Sequence, residues 1–267
     1  MPYATWDHAL ISKVMGGSRV IGVMIARQRG SDMTTAKSAG RVVGLLLLVQ
    51  LTALILPYVL LLPVSARAGA FLESAAAMEG TVRLSVLTLF VGGAVSLGIS
   101  VIAWPTVRER QHRLGLWLLA LAVMNFTLQL IENAHWLSLL SISQAYASAG
   151  SADPAIFQAL GVAAHASFRW AHYSHILIVV AWLFTLYLLF HRGAIVPRPI
   201  AALGMGGALL HFIGITLPAF GGYRMPYPDL FGAPLGLATL LVAGWLIARG
   251  FALAAPQEAQ LPPRPQA

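Results

Sequence analysis

The chain has 267 residues, 58% of them hydrophobic and only 10% charged, with a formal net charge of +8. Soluble domains carry about 25% charged residues, so a water-facing surface over most of the molecule is excluded and lipid is the expected partner. The 17 Lys and Arg are scattered between apolar runs, which excludes a nucleic-acid-binding face, and the absence of Cys excludes disulfides, thiolate metal sites and Cys nucleophiles.

Residues 1–32 are moderately apolar but interrupted by Lys13, Arg19, Arg27 and Arg29. No run there reaches the roughly 20 apolar residues that cross a bilayer core, and no small-residue cleavage site follows a clean apolar stretch. The segment reads as a basic amphipathic stretch on the inner leaflet or as a mis-called start, because Met33 to Arg41 looks like a natural short basic N-terminus. Six apolar runs follow, at roughly 42–64, 83–104, 115–140, 168–190, 200–220 and 230–249. Pro57 marks an expected kink in the first, and Trp104-Pro105 an expected stop to the second. Each run approaches the length of a helix that spans a bilayer, and none alternates like a barrel strand. The fold class expected is therefore all-α, a polytopic transmembrane bundle of about six spanning helices in one domain over 33–251. The tail after it, 252–267, is rich in Pro and Gln and is expected to be disordered.

Charge orients the bundle. With the N-terminus inside, only Arg67, Arg83, Arg169 and Arg224 fall on the outer side, and the remaining basic residues are inside. The positive-inside rule thus places both termini in the cytoplasm.

Three stretches carry a family resemblance. His191 to Leu209, HRGAIVPRPIAALGMGGAL, resembles a connector made of a basic turn, Pro-Arg and then Leu-Gly; Ala233 to Phe251, APLGLATLLVAGWLIARGF, is similar to a closing helix that ends in Trp-Leu, a basic residue and Gly-Phe. Ala39 to Leu48, AGRVVGLLLL, fits the same family's opening. That family is the bacterial membrane family called domain of unknown function 4386. The resemblance runs from near Ala39 to about Phe251. It implies a six- or seven-helix protein of the bacterial inner membrane and supplies no catalytic residues.

Polar residues within spans require a reason, because the bilayer penalises them. In the third run Asn125, Gln129, Glu132 and His135 are spaced by four, three and three and share one helical stripe. Glu132 and His135 have the Glu-x-x-His spacing that lets two side chains reach one metal ion in helical bundles. Before and within the fourth run, His165, Arg169, His172 and His175 fall on one arc. His211 lies eleven residues into the fifth run, and the last outer loop carries Tyr223, Arg224, Tyr227 and Asp229.

Two site readings follow. Glu132, His135, His172, His175 and His211 form a candidate set for a metal ion or, with two imidazoles facing each other, a haem. Asn125, Gln129, Arg169 and Arg224 are candidates to hold a small ligand, such as an anion, a lipid headgroup or a quinone. Plainer readings stand beside them: an intramembrane ion pair of Glu132 with Arg169, a solvated loop position for His165, an aromatic-belt position for His172 and His175, and a helix-packing hydrogen bond for His211. No phosphate-binding loop, nucleophile elbow, intraspan Lys for a retinal Schiff base, gating-arginine stripe or inverted repeat is present. Three functions remain open: a metal- or haem-dependent redox enzyme, a binding or transport protein, and a structural or accessory subunit. All three assume that the polar residues of the third, fourth and fifth runs converge.

Overall fold

The computed structural model describes residues 34–61, 68–149, 154–222 and 228–251. The expectations for the N-terminal segment 1–32, the tail 252–267 and Arg224 lie outside them. Among the described residues seven α-helices make up the bundle: α1 Thr34–Leu61, the short α2 Ala68–Ser74, α3 Glu79–Arg108, α4 Gln111–Ala149, α5 Pro154–Arg192, α6 Arg198–Gly221 and α7 Ala233–Arg249. A 3-10 turn, Pro228–Gly232, leads into α7. All but α2 are long and apolar enough to cross a membrane, the last counted from Leu230. The protein is a polytopic helical membrane protein.

Leu, Val, Ile and Ala dominate every helix, and with no competing polar backbone partners in lipid a helix is the way to satisfy each N–H and C=O internally. Helix ends fall where that chemistry changes. The helix α3 runs through Pro105 to Arg108, past the expected Trp104-Pro105 stop, and the chain breaks at Gln111, whose φ of −135° and ψ of 42° are non-helical. The helix α1 is likewise continuous through Pro57. Both α4 and α5 contain 39 residues, about 58 Å at a rise of ~1.5 Å per residue, well beyond a core of about 30 Å. They therefore extend past the apolar runs at their outer ends, and His165 stands within α5 instead of in a loop.

The two described ends of the chain meet at one end of the bundle, the inner end in the orientation expected from charge, as an even number of crossings requires. Gly40 of α1 lies so close to Gly250 and Phe251 that a Cβ there would strike their backbone. Large apolar side chains such as Leu45, Val59, Leu87, Trp117 and Leu241 point outward, the surface expected where solvent is hydrocarbon. The buried core has two parts. One cluster gathers Leu47, Ile99, Leu118, Trp182, Tyr187 and Leu246 toward the inner end; the other gathers Leu61, Phe71, Leu89, Trp136, Leu139 and Phe168 beneath α2 at the outer end. Between the two clusters lies a layer of buried polar side chains.

Candidate functional site

The layer is built on α4. Its face toward α3 and α5 carries Asn125, Gln129, Glu132 and Asn133, every one of them buried. Glu132 is about 30 Å along α4 from Gln111, and His175 about 25 Å along α5 from Arg192, at ~1.5 Å per residue. The two antiparallel helices thus bring these side chains to one level in the outer half.

At the centre is the Glu132 carboxylate, whose side chain is 0% exposed. Its Oε1 lies 3.0 Å from His172 Nδ1 and accepts a hydrogen bond from Tyr58 Oη at 3.2 Å. Its Oε2 lies 2.7 Å from His175 Nδ1. Tyr58 Oη is also 2.8 Å from His172 Nδ1. On the far side of His175, Nε2 donates to Asn125 Oδ1 at 2.8 Å, and Asn125 Nδ2 donates to Ser96 Oγ at 2.7 Å. Ser96 Oγ in turn donates to the backbone of Gly93 at 2.6 Å. Four helices, α1, α3, α4 and α5, therefore share one hydrogen-bonded network.

Since His175 Nε2 faces a carbonyl oxygen, it carries a hydrogen. Its other nitrogen sits at hydrogen-bond distance from a carboxylate oxygen, so one further proton resides between His175 and Glu132. Apart from these two imidazoles, no basic side chain among the described residues pairs with Glu132; the one Arg–Glu pair is Arg83–Glu79 at the exposed start of α3.

Aromatic rings wall the site on its outer side. The Phe168 ring stacks on His172 with centroids 5.8 Å apart and touches Trp136 at 4.3 Å. His172 keeps 18% exposure, which makes it the network's partly open edge. One turn to either side of Glu132 on the same α4 face, Gln129 Oε1 and Trp136 Nε1 are buried without a hydrogen-bond partner. Gln129 Nε2 donates to Asn133 Oδ1 at 2.9 Å, and Asn133 Nδ2 donates to Val86 O at 3.2 Å.

Comparison with known families matches residues 42–250 to the family described as domain of unknown function (DUF4386). The chain belongs to the DUF4386 family. No curated protein and no solved structure matches it. The matched stretch of this DUF4386 chain contains the whole network, from Tyr58 to His175.

Of the residues singled out from the sequence, Asn125, Glu132, His172 and His175 come together, and Gln129 lies beside them. His135 is half-buried on α4 outside the network. His211 on α6 packs against the 3-10 turn, where a Cβ on Gly232 would stand 3.0 Å from its ring. Arg169 is exposed and lies over Trp170, 5.9 Å from the ring centroid, and it makes no ion pair with Glu132. Among the described residues, no three of His, Asp and Glu are grouped as metal ligands. Sequence reasoning missed Tyr58 and Ser96. A tyrosine following Pro57 near the outer end of α1 has the look of an interfacial belt residue, and a serine in a Gly-rich run has the look of a packing residue; only their neighbours on α4 reveal them.

Proposed function

We propose that this DUF4386 protein resides in the bacterial inner membrane with both termini in the cytoplasm, and that it binds a cation in its outer half at Glu132. Its orientation rests on the inward bias of Lys and Arg. The observation that carries the cation reading is the burial of the Glu132 carboxylate with a phenol and two imidazoles but, among the described residues, no Arg or Lys. A carboxylate buried without a compensating charge costs several kcal/mol. The compensating charge must then be a mobile one, a proton or a metal ion, and mobile charge is what binding and transport proteins, pumps and metalloproteins use.

The surroundings favour a small cation over a larger anion. The layer is enclosed by α1, α3, α4 and α5, and the side chain at its centre is a carboxylate. An anionic headgroup held by Arg169 would sit on the outside of the bundle, where Arg169 is.

Thermal melting of the detergent-purified full chain tests this reading. The wild type should change its melting temperature with pH and on addition of Mn2+, Fe2+ or Zn2+, because a ligand that binds only the folded state stabilises it. Glu132→Gln keeps the shape and removes the charge, and it should abolish that dependence while the protein remains folded. A wild type indifferent to both pH and divalent ions, with Glu132→Gln merely less stable, would make the network a lock between helices.

A further inference from the structure

Tyr58 Oη, Glu132 Oε1 and His172 Nδ1 form a closed triangle with edges of 2.8, 3.0 and 3.2 Å. The phenol and an Nδ1–H supply only two hydrogens for three edges, so hydrogen bonds close the triangle only if the Nδ1–H is shared between the two oxygens. With the imidazole hydrogen on Nε2 instead, Nδ1 and the ionised carboxylate meet lone pair to lone pair, in a buried site where such contacts are costly.

One ion serves all three edges at once. Ligand atoms at right angles around a metal with bonds of about 2.1 Å stand about 3.0 Å apart, the spacing of one face of an octahedron. A tetrahedral ion with the same bonds would need about 3.4 Å. On the basis of this triangle we propose that Tyr58, Glu132 and His172 form the facial ligand set for a single first-row transition-metal ion. The proposal rests on the cation reading above and identifies the cation.

The chemistry of the set narrows the ion. Two oxygens and one imidazole nitrogen in a six-coordinate face suit iron(II) or manganese(II) better than tetrahedral zinc or thiolate-seeking copper(I). His175 then has a distinct role. Its Nδ1 bonds the other oxygen of Glu132, and its Nε2 is anchored through Asn125 to Ser96. It is a positioning residue that turns Oε1 toward the ion, as partners of metal-bound carboxylates commonly do. His172 would bind through Nδ1 and leave Nε2 toward its partly open edge. Tyr58 supplies the third donor, which no His, Asp or Glu among the described residues provides.

Metal loading of the full chain in detergent, after stripping with a chelator, tests the assignment. Samples are reloaded anaerobically with Fe2+ or Mn2+, and separately with Zn2+, and bound metal is counted by elemental mass spectrometry. The wild type should hold one Fe2+ or Mn2+ per chain. Tyr58→Phe, which removes a single oxygen, should weaken binding by at least 100-fold, and His175→Gln by about 10- to 100-fold. Air oxidation of the iron-loaded wild type should yield a visible phenolate-to-iron absorption band that Tyr58→Phe lacks. Equal metal content in wild type and Tyr58→Phe, or loss of metal in His135→Ala with Tyr58→Phe unaffected, would overturn the ligand set. A wild type that binds no metal but still shows pH-dependent melting abolished by Glu132→Gln would overturn the metal and leave the proton as the cation. Circular dichroism and gel filtration of each variant separate loss of metal from loss of fold.

Discussion

In the inner half of the bundle, Tyr187 Oη donates to Thr239 Oγ1 at 2.7 Å, and Thr239 passes its own hydrogen to Leu235 O at 2.8 Å. Trp182 Nε1 likewise donates to Ser100 Oγ, which donates to Ser96 O. Each chain runs from a neutral donor to a backbone carbonyl and stops there, with every hydrogen placed. In the outer half, a carboxylate, two imidazoles and a phenol crowd together with more acceptor positions than hydrogens, and Gln129 Oε1 and Trp136 Nε1 go without a partner. Both regions bury polar groups beside large apolar ones. The two inner chains are complete as packing devices, so polarity within a span does not by itself mark a site. A buried carboxylate without a fixed counter-charge among the described residues does.

Four substitutions sharpen the contrast. The largest loss of stability is expected from Gly207→Val at the α6–α7 contact, where a Cβ would lie 2.7 Å from Leu235 N. Backbone cannot move aside as a side chain can, so overpacking should cost about 3 kcal/mol. Heating curves would show a lowered melting temperature, while the remaining folded protein responds to cations as before. Asn125→Leu comes next, at about 1–3 kcal/mol, because it strands His175 Nε2 without its acceptor. Unlike Gly207→Val, it should also blunt the cation response, since it releases the anchor of the His175–Glu132 pair. Tyr187→Phe should cost about 1 kcal/mol and leave that response intact. Arg169→Gln should change stability by less than about 0.5 kcal/mol, as expected of an exposed side chain with no ion pair. If Tyr187→Phe altered the cation response, or Asn125→Leu did not, the distinction between the two halves would fail.

Much of the architecture could be read from hydropathy alone, because lipid leaves the backbone few options: six spans were expected, and six are present among the described residues. Span ends were less readable. The Ser- and Ala-rich stretch 141–149 and the Ala-rich stretch 154–167, broken by Gln158 and His165, are less apolar than the runs they adjoin, yet they continue α4 and α5 as helix. Within the site, the four-and-three spacing of Asn125, Gln129 and Glu132 announced a shared face, and His172 and His175 announced a second. What the sequence could not convey was which partner each would meet. Asn133 escaped notice because it follows Glu132 directly, although a 100° step keeps it on the buried face. Tyr58 comes from a helix 74 residues away from Glu132 in sequence, and no local pattern joins them. His135 has favourable spacing with Glu132, but it is only half-buried on α4 and takes no part in the hydrogen bonds around Glu132.

The most direct test of Glu132 as a cation seat is proton release on metal addition, followed with a pH indicator in weakly buffered detergent solution. The geometry predicts that Fe2+ or Mn2+ binds to the wild type with release of about one proton per ion, since the Tyr58 phenol loses its proton to solvent as it binds the metal. Glu132→Gln should show neither binding nor release. No uptake and no release in the wild type, matching Glu132→Gln, would contradict a metal seat; paired with melting that is also insensitive to pH, it would leave the outer polar layer as a means of holding helices together.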